Sequence, residues 1–462
     1  MNCELQFVDQ VSASPTVRLD LMVAPWSVQD STEFGLPELR RAVVSTLLSD
    51  GERYPAAAYG NRIIMLVARI ADVDDDAMAD ALQDLYRELD RPTNILRYRP
   101  GTTEPVFFQT FRCGPDSVTW NPFLKEVTAA IPAEPFAVGL KETLPTVTVN
   151  NDPAAASNGL YFDIAAPKGD VETPLFVQVP LASVAISGRR QSAIGVRRRG
   201  TPSGMPGTLQ AEAMTAQTDT SVQANDPVMS GSGSNYMRCT FASNASLVSR
   251  LAVSSFPASA SVDVRGTYRV FVRVRKTVSA DVITMRLSAS LDGVNVNGDT
   301  VTLPSGTNIR WVDVGLLQMP LGFDPQTDGY SGIPLAVRGM SLFVSAGRSS
   351  GSGSLDMDVI AYVPADDRFC LVKWSEFAGP TAFVLDAAAT EVYATGASGE
   401  VRATQISEVE GLAPMLTPGR ASRVMWLLDV GTTSQGGDDK TRTIEVTPYY
   451  WPRYLSVRPV SS

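Results

Sequence analysis

Val17-Arg-Leu-Asp-Leu-Met-Val23 alternates apolar and polar side chains with a period of two. That period puts every second side chain on one face of a pleated strand, so the stretch reads as a half-buried strand. Outward from it, residues 63–70 and 106–111 read the same way. So do 146–149, 160–164, 175–179, 268–275, 283–291 and 355–363, separated by Asn-Asp-Pro and Pro-Lys-Gly-Asp turns. One segment breaks the pattern. Asp74, Asp75 and Asp76 supply an N-cap and first-turn acids, and Met78, Leu82, Leu85 and Leu89 recur at helical spacing. A helix is therefore predicted over 74–90, stopped at Arg91-Pro92. Residues 36–48 satisfy both periods: Leu39, Val43, Val44 and Leu47 fit a helix, while Val43-Val44-Ser45-Thr46 is rich in β-branched residues.

Composition narrows the chemistry. The chain has 462 residues, 39 Lys plus Arg against 49 Asp plus Glu, and no histidine. Without histidine no Ser-His-Asp or Cys-His relay and no His-ligated metal is available. The net charge of −10 argues against a protein whose main work is gripping nucleic-acid phosphates. Cys3, Cys113, Cys239 and Cys370 are far apart in sequence, with no metal-knuckle or redox spacing, and read as reduced, mostly buried thiols. Met1-Asn-Cys-Glu-Leu5 carries no basic-plus-apolar leader, and no window reaches the ~18 apolar residues of a membrane span. Folding in a reducing cytosol and no membrane insertion are expected. No repeat of fixed period is present.

The character changes along the chain. Residues 1–135 read as a mixed domain, and from about 136 onward the chain is all-β. Arg189, Arg190, Arg197, Arg198 and Arg199 form a basic cluster ahead of Gly200-Thr-Pro-Ser-Gly-Met-Pro-Gly207, a boundary by its Pro and Gly content. The cluster is expected at a domain junction, pairing with acids of a neighbouring subunit. Gly/Ser tracts at 230–234 and 349–354 read as flexible, exposed loop tips.

Asp50-Gly-Glu-Arg-Tyr-Pro55, Tyr59-Gly-Asn-Arg62, the helix, Leu89-Asp-Arg-Pro-Thr-Asn-Ile-Leu96 and Pro105-Val-Phe-Phe108 follow one another in an order that resembles the N-terminal domain of phage distal tail proteins. These are the minor tail proteins of long-tailed actinobacterial phages. Asp386, Pro414-Met-Leu-Thr-Pro-Gly419 and Tyr450-Trp-Pro-Arg-Tyr454 agree with the end of that family. None of these is a catalytic signature. The resemblance implies a mainly β chain: a tail-tube-like, ring-forming β-sandwich with one helix over 1–135, and a galectin-like β-sandwich in two halves, 136–199 and 376–462. It also resolves 36–48 as strand. Residues 200–375 then form an insertion leaving one edge of that sandwich. They resemble a carbohydrate-binding jelly roll through Leu209-Gln-Ala-Glu-Ala-Met214, Gly266-Thr-Tyr-Arg-Val-Phe-Val-Arg-Val274, Trp311-Val-Asp-Val-Gly315 and Asp356-Met-Asp358.

Such modules hold a structural calcium on their opening and final strands, which the resemblance carries onto Gln210, Glu212 and Asp358. The competing reading makes these ordinary strand-edge polar groups. Glycan stacking would fall to Tyr330, Trp311 and Tyr268; the alternation of Tyr268 with Val270 and of Trp311 with Asp313 also allows a core position for either ring. The implied function is a structural virion protein at the phage tail tip, assembled in the bacterial host cytoplasm, and not an enzyme. It would form a homo-hexameric ring joining the tail tube protein to tail-tip or tail-associated proteins, with DNA only as passing cargo. The rival is host adsorption through cell-wall glycan bound by the insert; the outside alternative is a carboxylate-dependent glycosidase, which needs no histidine. Charge sharpens the first reading. Residues 1–135 hold 12 Lys plus Arg against 20 Asp plus Glu, a net of −8, and the remaining 327 hold 27 against 29, a net of −2. Acids lining a channel would repel passing DNA and keep it from sticking.

Overall fold

The computed structural model describes residues 3–45, 52–71, 74–121, 124–150, 161–180, 190–196, 208–224, 226, 229, 235–242, 245–256, 266–291, 294–319, 340–365, 369–374, 382–386, 391–396, 398, 400–401, 406–412, 414–429 and 443–456. They fall into two compact units. The first takes 1–142, 167–173 and 450–462; the second takes 143–166 and 174–449. Both are built almost wholly of antiparallel strands.

In the first unit one sheet runs in the order Val17–Asp20, Glu4–Val8, Thr93–Arg99, Val106–Phe111, Leu124–Ala133, Arg62–Ala71, Trp26–Val28. Strand Arg62–Ala71 alternates buried and less buried side chains along its length, the mark of a sheet with one covered face. The predicted strand at 17–23 stops at Asp20, because the Leu21 amide turns back to Leu5 O and Asp20 Oδ1 accepts from the Met22 amide. The helix is Asp75–Leu89, capped by Asp74, whose side chain accepts from the Ala77 amide. Its face of Met78, Ala81, Leu85 and Leu89 packs into the core with Leu66, Leu96 and Phe108. Residues 36–48 give the strand Leu39–Ser45. Among the described residues Asp75–Leu89 is the unit's one helix, and no helix is long and apolar enough to cross a membrane.

The chain end departs from the expected layout. Arg453–Tyr454 pairs with Ala137–Val138, and Tyr454 lies in the first unit's core. Buried Arg62 fastens it by donating to Pro135 O and Leu455 O, and burial lowers that guanidinium's pKa to about 10. Residues 450–456 thus belong to the first unit, not to the closing half of the second sandwich.

The second unit holds two sandwiches. One draws strands from both sides of 200–375: its sheets run Glu142–Thr143, Thr443–Tyr450, Phe176–Pro180, Ala382–Asp386, Glu391–Thr395, and Tyr161–Ile164, Ser422–Asp429, Arg190–Val196, Phe369–Trp374, Ile406–Gly411. The other uses strands between 208 and 364 that, among the described residues, pair only among themselves. Its first sheet is Thr220–Gln223, Tyr236–Thr240, Ser354–Pro364, Gly266–Lys276, Arg310–Met319; its second is Thr215–Ala216, Val248–Phe256, Met340–Ser350, Val282–Leu291, Val294–Asn297. Tyr268, Val272 and Ile360 from the first sheet meet Ile283, Met285 and Leu342 from the second in one core.

The 208–364 body does not hang from an edge. Its ends leave from interior strands, where Gly195 faces Phe369 across the pair. Its first sheet also lays Phe271, Trp311, Val359, Ala361 and Val363 against Ala193, Phe369, Leu371, Met425 and Leu427 of the other sandwich. That sheet is covered on both faces. The tract 349–354 is likewise less free than its composition suggests. Asp281 accepts from the Ser352 and Gly353 amides, and Gly351 supplies the positive φ of the turn. The tract 230–234 lies outside the described residues, as do Arg189, Arg197, Arg198 and Arg199.

Candidate functional site

Strand Leu39–Ser45 pairs with Glu52–Tyr59 and, among the described residues, with no third strand. The result is a ribbon rooted by the Gly60 amide on Glu38 O and by the Tyr59 ring meeting Phe136 edge-on at 5.3 Å. A lone two-stranded ribbon is marginal in water. Its root is unusually apolar for exposed surface: Leu36 is 77% and Ile63 53% accessible, with Leu39 and Tyr59 also exposed. Arg40 and Arg41 stand beside them, open to solvent. Sequence patterning gave no sign of this patch, because an apolar side chain beside a turn reads as a buried anchor.

The residues singled out for ligands are placed quite differently from one another. Tyr268 is 1% exposed and sits in the core between the two sheets of the 208–364 body. Trp311 is 2% exposed and packs on the other face of the same sheet, against the neighbouring sandwich. Neither ring can meet a sugar, because both faces of this sheet are covered. Tyr330 lies outside the described residues.

Gln210, Glu212 and Asp358 are brought to one place by register. Gln210 pairs with Val359, next to Asp358, and Glu212 follows on the turn Ala211–Ala213, which packs on the strand Ser354–Pro364. Gln210 Oε1 is buried and, among the described residues, accepts no hydrogen bond; Glu212 Oε2 and Asp358 Oδ1 are buried as well. Hard oxygens of this kind suit calcium. Asp358 is also fully buried and held by Arg273 Nη1 at 2.7 Å, so it is not a strand-edge group facing water. That guanidinium already balances one of the two carboxylates. Among the described residues no group of three or more Cys, Asp or Glu is placed to hold a metal, so a calcium here would depend on the amide oxygen.

Thiol chemistry is suppressed. Burial pushes Cys239 up to about 11 and Cys370 up to about 12, and Cys3 and Cys113 also move upward through burial. A thiol held neutral at pH 7 is a poor nucleophile and a poor metal ligand. Asp356 is no freer: Arg238 grips it through both oxygens at 2.6 and 2.9 Å, and Arg275 donates at 2.8 Å.

The fold and these surfaces define a mainly β, multi-sandwich protein with a separate two-stranded ribbon. No family model matches the chain, and no curated protein matches it. Among solved structures it is similar to the Dit protein (gp 19.1) of SPP1, described as a paradigm of the hub adsorption apparatus in phages infecting Gram-positive bacteria. That match has 8% identity and a TM-score of 0.37, covering 98% of this chain and 99% of that one. It is also similar to a chain of the phage P2 baseplate in its activated conformation with calcium, at 9% identity and a TM-score of 0.22, over 78% of this chain and 98% of that one. The strontium form of that baseplate gives 8% identity and a TM-score of 0.23 over 77% and 97%.

Proposed function

We propose that this chain is a distal tail (baseplate hub) protein of a phage virion, forming a hexameric ring between tail tube and tail tip with a channel for DNA. The observation that carries the reading is the two-stranded ribbon with its exposed apolar root. A neighbouring copy presents a complementary surface to it, and repeating one heterologous contact by rotation closes a ring. The acidic bias of the first 135 residues, 20 Asp plus Glu against 12 Lys plus Arg, supports a channel that repels nucleic acid. The ring's partners would be the tail tube and tail-tip proteins, and its place the virion. Catalysis has no part in this reading.

Light scattering and negative-stain images of the purified chain should show a six-fold ring with a central hole. Leu36→Glu should release monomers without lowering the melting temperature, since Leu36 contributes little burial to its own chain. A wild-type chain that stays monomeric at high concentration overturns the ring.

A second reading is that the 208–364 body adsorbs to host cell-wall glycan and is stiffened by calcium on Gln210, Glu212 and Asp358. The buried, hydrogen-bond-free Gln210 Oε1 favours the metal. Its role would be to tie the opening strand to the final one. Calcium at a hundred times its Kd should then stabilise the body by about 2.7 kcal/mol against EDTA. Melting curves that coincide in calcium and EDTA remove the metal from the reading.

A further inference from the structure

The outer face of the second sheet of the 208–364 body carries a charge without a counterpart. Arg286 lies on the strand Val282–Leu291 between Met285 and Leu287, both in the core, so its side chain emerges on the opposite face. Among the described residues Arg286 makes no hydrogen bond and no ion pair, yet its Nε is buried. This differs from the body's other sheltered arginines. Arg250, Arg273, Arg310 and Arg348 each donate to carbonyl oxygens, and Arg238 and Arg275 clamp Asp356. A guanidinium partly withdrawn from water and left without an acceptor is costly, and such groups are otherwise satisfied almost everywhere in folded proteins.

The register shows what surrounds it. Arg286 faces Ser345, Ser288 faces Phe343, and Ser290 faces Ser341 across the pair with Met340–Ser350. On the other side Ser288 faces Asn297, and its hydroxyl donates to Asn297 Oδ1 at 2.9 Å. Phe343 lies between Leu342 and Val344, which are in the core, so its half-buried ring is on the outer face with Arg286. One row thus presents an aromatic ring, and the next a guanidinium, set among hydroxyls and an amide. The first sheet's outer face is taken by the neighbouring sandwich; that hydrophobic seam includes no described residue of this second sheet, whose Ser288 and Ser345 are themselves buried between the larger side chains.

We propose that this face binds a glycan carrying a carboxylate or phosphate group, with the anion on Arg286 and a sugar ring against Phe343. The inference rests on the adsorption reading above and gives it a ligand class. Charge complementarity selects the occupant. A guanidinium presents paired donors that match a carboxylate or phosphate, while hydroxyls and amides suit sugar oxygens. A neutral glycan would offer hydroxyl acceptors but no charge to balance the guanidinium, and so only the weaker, neutral-acceptor bond.

The test uses the full chain in native gels containing polygalacturonate, glycerol-phosphate teichoic acid or neutral dextran. Retardation is expected in one or both anionic polymers and not in dextran: in polygalacturonate if the anion is a carboxylate, in teichoic acid if it is a phosphate. Arg286→Gln should weaken binding about tenfold, the scale of a lost charged hydrogen bond, and Arg286→Lys should weaken it less. Phe343→Ala should weaken it too. Arg87→Gln, on the helix of the first unit, should change nothing. Because Arg286 forms no bond in the fold, its variants should melt as the wild type does. Equal retardation of Arg286→Gln and wild type overturns the site, as does retardation in dextran equal to that in the anionic gels. Cosedimentation with Gram-positive cell walls separates the two claims. Wall binding insensitive to Arg286→Gln defeats this site and keeps adsorption; Arg286-dependent polymer binding without wall binding keeps the site and defeats adsorption.

Discussion

Gly195→Val is expected to cost the second unit about 3 kcal/mol or more, read as a fall in the midpoint of urea unfolding. A Cβ at position 195 would stand 2.2 Å from Pro364 O, 2.9 Å from Val363 Cγ1 and 3.1 Å from Pro364 N. Two of those three atoms are backbone, so no rotamer change relieves the clash. Neither strand can retreat. Arg190–Val196 is hydrogen-bonded on both sides, with Gly195 between Phe369 and Met425. Pro364 ends the strand Ser354–Pro364, whose Val359, Ala361 and Val363 fill the seam with the neighbouring sandwich. The only relief is to part the two sheets, which would expose Trp311, Phe369 and Leu371 together. Gly195→Ala should already be destabilising. Gly114→Val is the control, since nothing lies within 4 Å of its Cβ and its cost should be near zero. If Gly195→Val melts with the wild type, the two strands do not approach so closely and the sandwiches are joined only by their connecting chain.

What the sequence revealed and hid follows from which forces are local. The helix was legible because its cap, first-turn acids and apolar stripe all lie within Asp74–Leu89. Strand Arg62–Ala71 was legible because one covered face leaves a period of two. Strand Ser354–Pro364 is buried at ten of its eleven positions, so alternation stops distinguishing inside from outside. That is why Trp311 and Tyr268, on opposite faces of the same sheet, could not be told from exposed sugar platforms. Residues 36–48 were ambiguous for a different reason: Leu39, Val43, Val44 and Leu47 fit a helical period while the β-branched run at 43–46 fits a strand, so local pattern alone could not choose. Asp358 read as a calcium ligand or a strand-edge polar group, and Asp356 beside it only as part of a strand. Their arginines sit more than 80 residues away in sequence, at Arg238, Arg273 and Arg275, and only the sheet order brings them near. Arg286 was legible as an outward polar residue; its lack of an acceptor was not, since that depends on every neighbouring strand.

Asp358 and Arg273 should show the second large effect, and an asymmetric one. Both side chains are fully buried, 2.7 Å apart, and Arg273 also donates to Met229 O. Removing one partner of such a pair strands the other charge away from water, at a cost of about 3–5 kcal/mol. Asp358→Leu should therefore lower stability by that amount at every pH tested, because a guanidinium keeps its charge across the working range. Arg273→Met leaves a carboxylate instead, and a carboxylate can take up a proton. With the Arg273 charge gone and the side chain still buried, its folded pKa rises above the unfolded value of about 3.9. The folded state then binds the proton more tightly than the unfolded chain does, so stability rises as pH falls through the folded pKa and is fully recovered below the unfolded one. Arg273→Met should accordingly regain stability on mild acidification, relative to wild type, while Asp358→Leu should not. The double variant Arg273→Met/Asp358→Leu removes both charges and should return most of the loss, since a well-packed apolar pair is often as stable as the ion pair it replaces. Urea midpoints between pH 5 and 8 measure all three. Single variants whose losses simply add in the double variant would mean that the two groups do not compensate each other, and that each is held by something else.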